Sequence, residues 1–324
     1  MTKVAKTHRV IEERRHRSYR LNRLLISATS SNTSATLRYR SRMRKPLHLC
    51  LALTLLLAPS LHAQTAETTP RYTIDAIRYA TIPGFPLSAL IPGADKSQKI
   101  DIAMIYWLVR GNGHTILVDS GFYRPQFFKT FTVRDFQTPN QTLAKLGLKP
   151  SDITDVILTH MHWDHADGMD LFPNARIWLQ KDEYTYYTGP AWQSPRTHGG
   201  IDPDDVLALV KLNIAGRVGF VDGDDQLILP GIRAYTGGKH TFASQFITVP
   251  TASGTVVLAS DNMYLYRNLD EHKPIAQTLD ADSNLRAQDR MKALATNPRL
   301  IIPGHDPLEF ERFPTIAPGI VEIR

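Results

Sequence analysis

Asp155-Val156-Ile157-Leu158-Thr159-His160-Met161-His162-Trp163-Asp164-His165 carries a short, β-branched apolar run straight into four metal-capable side chains within six positions. The apolar part, bounded upstream by Asp152 and Thr154, reads as a buried strand of an α/β protein, so the histidines sit where that strand ends. In an extended backbone residues i and i+2 share a face, which lets His160 and His162 reach one ion together. Asp164 and His165 fall in the following turn, placed for a second ion beside the first. Imidazole nitrogen and carboxylate oxygen suit Zn(II), with Fe, Mn or Co as alternative occupants.

Three downstream features supply what a two-metal site still lacks: His240 in Gly237-Gly238-Lys239-His240-Thr241, Asp261 in Leu258-Ala259-Ser260-Asp261-Asn262, and His305 in Pro303-Gly304-His305-Asp306. Each follows a strand-like apolar run or a glycine turn, where the backbone bends sharply enough to aim a side chain into a shared cleft. The lone histidines His114, His198 and His272 are assigned no role.

Strand patterns fall at residues 102–109, 115–118, 155–159, 176–179, 217–221, 232–235, 245–249, 255–259 and 300–302, and helical patterns at 138–146, 202–212 and 283–296. That alternation predicts the α/β class, with two mixed sheets packed together, helices outside and the ligands at one edge.

The order His-x-His-x-Asp-His, then His, then Asp, then Gly-His resembles the metallo-β-lactamase superfamily over the chain from about Tyr72 onward. The resemblance implies an αββα sandwich and two Zn(II) per chain. His160, His162 and His240 would hold the first ion and Asp164, His165 and His305 the second, with Asp261 bridging them. It also implies that Asp119, in Ile116-Leu117-Val118-Asp119-Ser120-Gly121, orients ligands rather than binding metal. A water bridging two dications is acidified to a hydroxide nucleophile, and Asp164 is the group expected to pass a proton to the leaving alkoxide.

Single residues separate the branches. Flavodiiron-type members carry Glu where this chain has His162, and class B β-lactamases lack an aspartate where Asp261 stands. Asp261-Asn262-Met263-Tyr264 resembles the Asp-x-x-Tyr of N-acyl homoserine lactonases, which implies that Tyr264 hydrogen-bonds the lactone carbonyl. Lactone opening is therefore the expected reaction. Hydrolysis of a phosphotriester, aryl ester or thioester is the alternative, and β-lactam cleavage ranks below both. The chain departs from the lactonase pattern around His240, where Lys239 and Phe242 are expected to reshape the pocket, and at Asp167, where a glycine is usual. Residues 82–92, read as an apolar loop, and the cluster Tyr184, Tyr186, Tyr187 and Trp192 are two candidate walls for an acyl chain.

The N-terminus explains the charge. Arg44-Lys45, the apolar run 47–58 and the small residue Ala63 before Gln64 form the pattern of a secretory signal over 43–63. Its apolar run is shorter than the roughly 20 residues a membrane span needs. Residues 1–42 read as a basic extension ahead of it, with Met43 the expected start. Residues 1–63 hold 13 of the 38 Lys and Arg and 2 of the 31 Asp and Glu, leaving 25 basic against 29 acidic residues, a net of −4. The basic excess belongs to the leader, so no nucleic-acid partner is expected. Cys50, the single cysteine, also lies in the signal, so residues 64–324 are thiol-free, as suits one periplasmic or secreted hydrolase domain. The expected partner is a small-molecule ester or lactone substrate, with a homodimer left open and no stable membrane span after cleavage.

Overall fold

The computed structural model describes residues 71–324. The signal at 43–63, the extension 1–42 and Cys50 lie outside the described residues.

Two sheets form the interior. The first has eight strands, β1 (Thr73–Pro86), β2 (Lys99–Gly111), β3 (His114–Val118), β4 (Asp155–Ile157), β5 (Arg176–Gln180), β6 (Val218–Val221), β12 (Thr315–Ala317) and β13 (Ile320–Ile323), in the order β12-β13-β1-β2-β3-β4-β5-β6. The second has β7 (Gln226–Leu229), β8 (Ile232–Thr236), β9 (Gln245–Thr251), β10 (Gly254–Ser260) and β11 (Ile301–Pro303), in the order β11-β10-β9-β8-β7. Both are mixed: β3 to β6 run parallel, as do β10 and β11, while the remaining pairs are antiparallel.

Strands apolar on both faces dictate four layers, because neither face can be left to water. Along β2, Trp107 and Val109 point into the seam between the sheets, where they join Ile116, Val118, Ile232, Ala234, Ile247 and Leu258. Tyr106 and Leu108 point the other way and are covered by Phe122, Leu143, Phe172 and Leu209. The outer helices are led by α1 (Pro139–Ala144) and α4 (Pro203–Ile214) on this side and α6 (Ala281–Leu294) on the other. There Met291 and Ala287 cover Phe246, Val257 and Ala259. The remaining helices are α2 (Trp163–Ala166), α3 (Lys181–Tyr187), α5 (Tyr266–Asp270) and α7 (Glu309–Arg312). The architecture is the expected αββα sandwich. Among the described residues no helix is long and apolar enough to cross a membrane.

One local reading, the loop at 82–92, is corrected. Residues 82–86 are strand, pairing Phe85 with Ile100 and Pro86 with Lys99; a register shift between Ile82 and Phe85, with Gly84 at φ +64°, lets the strand continue past the glycine. Tyr184, Tyr186 and Tyr187 of the aromatic cluster after β5 lie on helix α3.

Candidate metal centre

Four strand ends deliver the ligands to one edge. The chain leaving β4 bends at Thr159, whose carbonyl accepts from Gln245 N of the second sheet at 2.8 Å, and is extended at His162. His162 then caps α2, its carbonyl accepting from His165 N and Ala166 N, so Asp164 and His165 occupy that helix's single turn. His240 follows β8, Asp261 follows β10 and His305 follows β11. Gly304 is required before His305, because a Cβ there would lie 2.3 Å from Asp261 Oδ1.

The side chains gather as two groups whose candidate ligand atoms lie within 4.8 Å of one another: His160, His162, His240 and Asp261, and Asp164, His165 and His305. Asp261 reaches both. Its Oδ2 is 3.9 Å from His160 Nε2 and 3.3 Å from both His240 Nε2 and His305 Nε2, while its Oδ1 is 3.4 Å from His165 Nε2 and 3.1 Å from His305 Nε2. In the second group Asp164 Oδ2 lies 3.5 Å from His165 Nε2 and 3.6 Å from His305 Nε2. His160 Nε2, His165 Nε2 and Asp261 Oδ1 are buried without hydrogen-bond partners. His240 Nε2 and His162 Nδ1 face each other at 2.8 Å. Buried atoms left unpartnered around a common centre, in an N/O donor set, fit divalent cations with zinc-like preferences.

Four imidazoles are fixed by hydrogen bonds from Nδ1 that turn Nε2 to the centre. His165 donates to Asp119 Oδ2 at 2.8 Å, His240 to Gln277 O at 2.9 Å and His305 to Ala103 O at 2.9 Å, and His160 pairs with Thr159 Oγ1 at 3.0 Å. His162 is the exception and presents Nδ1, with the far side of its ring against Gly199 and Gly200. At Gly200, φ +77°, a Cβ would lie 2.7 Å from His162 Cδ2. Asp119 also accepts from Thr159 N and Oγ1 and from Ser260 Oγ, so one carboxylate supports ligands of both groups.

Charge divides the groups in the same way. Burial, together with His165 beside His160 and His240 beside His162, pushes these two imidazoles well below their ordinary pKa. Burial acts in the same direction on His165 and His305, but Asp261 and Asp164 outweigh it and raise both. Asp261, despite burial, is held well below the usual carboxylate range by His305 and His165.

His162, Asp164, His240, Asp261 and His305 floor a cavity of about 220 Å³ whose apolar walls include Ile82, Phe85, Leu90, Phe131 and Trp163. Residues from the 82–92 stretch thus line it. Tyr184, Tyr186, Tyr187 and Trp192 do not: Tyr186 stacks on Phe242 at 3.9 Å and Trp192 on His198 at 4.2 Å. Lys239 and Phe242 are likewise off the lining, with the Lys239 ammonium over the Phe242 ring. Tyr264 lines the cavity, its hydroxyl 3.3 Å from His240 Nδ1, and burial followed by Asp261 and Asp164 raises its pKa well above the ordinary phenol value. Asp167 accepts from Tyr123 N and Arg124 N and pairs with the Arg124 side chain, anchoring the segment after α2. His114 pairs with Asp155 and His272 with Asp289, far from this cluster in role.

The sequence reading passed over Glu183, Gly200 and Gln277. A glutamate in a first helical turn looks like any solvated acid, and Gln277 acts through its carbonyl, which leaves no mark in a sequence.

The family model described as the metallo-beta-lactamase superfamily matches residues 106–305. An N-acyl homoserine lactonase of Bacillus cereus is 28% identical over 235 residues, covering 68% of this chain and 86% of the relative. A solved quorum-quenching N-acyl homoserine lactone lactonase is similar with a TM-score of 0.64 at 20% identity, covering 78% of this chain and 99% of the other. AidC, a dizinc quorum-quenching lactonase, gives a TM-score of 0.59 at 19% identity, with coverage of 79% and 95%. At these identities the likeness to solved structures carries the fold.

Proposed function

This chain belongs to the metallo-beta-lactamase superfamily, and from that premise we propose that it is a dinuclear zinc hydrolase opening the ring of N-acyl homoserine lactone-type substrates. Metal-dependent hydrolysis follows from the family and its buried donor set. The observation that carries the two-metal reading is Asp261, whose carboxylate lies 3.3 Å from His240 Nε2 in one group and 3.1 Å from His305 Nε2 in the other. Zinc is favoured by the His and Asp donors and by the dizinc composition of AidC. The lactone is favoured by the names of the relatives and by Tyr264 at the cavity.

His160, His162 and His240 would hold one ion and Asp164, His165 and His305 the other, with Asp261 shared. When bound, the two ions would supply an acidified water as nucleophile and Lewis acidity toward the carbonyl. His240 Nδ1 donates its proton to Gln277 O and so cannot accept one from Tyr264. The Tyr264 proton is therefore free for the substrate carbonyl oxygen, where negative charge develops. Asp164 keeps 13% side-chain exposure against 5% for Asp261, which leaves it the accessible carboxylate to take the proton released by the attacking water and pass it to the leaving alkoxide. The apolar walls take the acyl group and exclude water.

The test is proton release on ring opening by the zinc-loaded protein, with short- and long-chain acyl homoserine lactones and metal content measured on the same sample. Turnover lost in His162→Ala supports the reading. A protein that holds two zinc ions yet opens no lactone sinks it and leaves phosphotriesters, aryl esters and thioesters as the substrates to assay.

Export is part of the same proposal: residues 43–63 direct the hydrolase domain 64–324 out of the cytoplasm. Mass spectrometry of the exported protein should find Gln64 at its N-terminus, and a retained 43–63 segment would count against it.

A further inference from the structure

Glu183 is buried to 1% exposure behind the first ligand group. It stands in the first turn of α3, which follows β5 without a loop, so its position is fixed by the first sheet. Its Oε1 accepts from Met161 N at 3.1 Å and from Thr241 Oγ1 at 2.7 Å, and its Oε2 accepts from Ala243 N at 2.7 Å. Met161 is the residue between His160 and His162, and Thr241 follows His240. One carboxylate thus ties the strand end that carries two histidines, in the first sheet, to the loop that carries the third, in the second.

We propose that Glu183 is a positioning residue for the first metal ion, setting the spacing of His160 and His162 against His240 and supplying a buried negative charge beside it. The inference rests on the two-metal reading above only for its first ion. Three observations favour it over a role in packing alone. An apolar side chain would fill the same space without the cost of burying a carboxylate. Among the described residues no Lys, Arg or His side chain pairs with Glu183 within salt-bridge distance, so an ion held by the adjacent histidines is the available counter-charge. All three donors also lie on the two ligand-bearing segments and none elsewhere in the fold. The hydrogen bonds of Glu183 all go to the residues that neighbour His160, His162 and His240, whereas the second group is held through Asp119 and His165, so the effect is selective.

The discriminating substitution is Glu183→Gln, which keeps the shape but loses the charge and turns one acceptor oxygen into a donor facing an N–H or O–H. Zinc affinity is measured by chelator competition in the wild type and in a His305→Ala background, where the first group reports alone. The Co(II) absorption spectrum and the melting temperature of the metal-free protein are recorded alongside. The expected result is first-site affinity lowered about 10- to 100-fold, a changed Co(II) spectrum and a metal-free melting temperature close to the parent's. Glu183→Asp, which keeps the charge, should recover part of the affinity. Unchanged first-site affinity and an unchanged spectrum in Glu183→Gln overturn the proposal. If that variant fails to fold, Thr241→Val removes one of the three bonds and should give a smaller loss at the same site; no loss there overturns the proposal equally. A wild type that binds a single zinc ion, weakened by Glu183→Gln, supports Glu183 while sinking the dinuclear reading. A wild type that binds none sinks both.

Discussion

His165 donates its Nδ1 proton to Asp119 Oδ2 at 2.8 Å, and both side chains are closed to solvent. The same carboxylate holds Thr159 Oγ1, which pairs with His160 Nδ1, so Asp119 sets the ring orientation of one ligand in each group. Asp119 itself sits at φ +61° at the end of β3, a conformation that costs energy for a non-glycine residue and persists because four donors converge on it. Asp119→Asn would present an amide N–H to some of these donors. Its expected effect is a loss of about 10- to 100-fold in affinity at both sites, read as zinc retained after dialysis against a chelator. A loss confined to one site would mean that Thr159 does not relay the support.

Tyr264→Phe removes a hydroxyl without opening a cavity. Both zinc ions should be retained, and kcat should fall by about 100-fold, the scale for loss of one oxyanion donor, with KM moving less. Steady-state kinetics on a lactone, paired with metal analysis, provide the check. An unchanged kcat would assign Tyr264 to packing alone.

Gly200 is the residue against which His162 leans. Gly200→Ala combines a left-handed backbone with a Cβ 2.7 Å from the imidazole, so His162 or the loop must move. The predicted outcome is a first site that binds zinc weakly while the second is spared, seen in a two-step zinc titration. Equal binding at both steps would show that the loop yields instead.

The cluster of seven candidate ligands was legible because its chemistry is local: a strand end, a spacing of two and a run of imidazoles and carboxylates need no tertiary information to be read. What lay beyond reach was set by contacts distant in sequence. The long strand β1 was missed because register shifts near Arg78 and Gly84 break its alternation, and β7 because Gln226-Leu227-Ile228-Leu229 is only four residues long and shows no alternation. Lys239 and Phe242 were expected in the pocket because they neighbour His240. Lys239, at φ +58°, instead turns outward over Phe242, which stacks on Tyr186. Adjacency in the chain did not fix direction.

Asp205, on α4, gives a prediction about stability and pH. Burial, then the neighbouring Asp167, raises its pKa to about 9, against the pull of Arg124, and its Oδ2 has no hydrogen-bond partner. The folded protein therefore holds a proton that the unfolded chain gives up near the ordinary carboxylate value. Between roughly pH 4 and pH 9 the native state binds more protons than the unfolded one, so this group makes stability fall as pH rises. Asp205→Asn mimics the protonated form and should remove that slope. Urea midpoints taken at acid, neutral and alkaline pH should show the variant equal to wild type at the acid end and increasingly more stable toward the alkaline end. Arg124 keeps its pairings with Asp167 and Asp170, so no cation is orphaned by the change. A difference that stays constant with pH would mean that Asp205 is ionised in the native state and that Arg124 outweighs its burial.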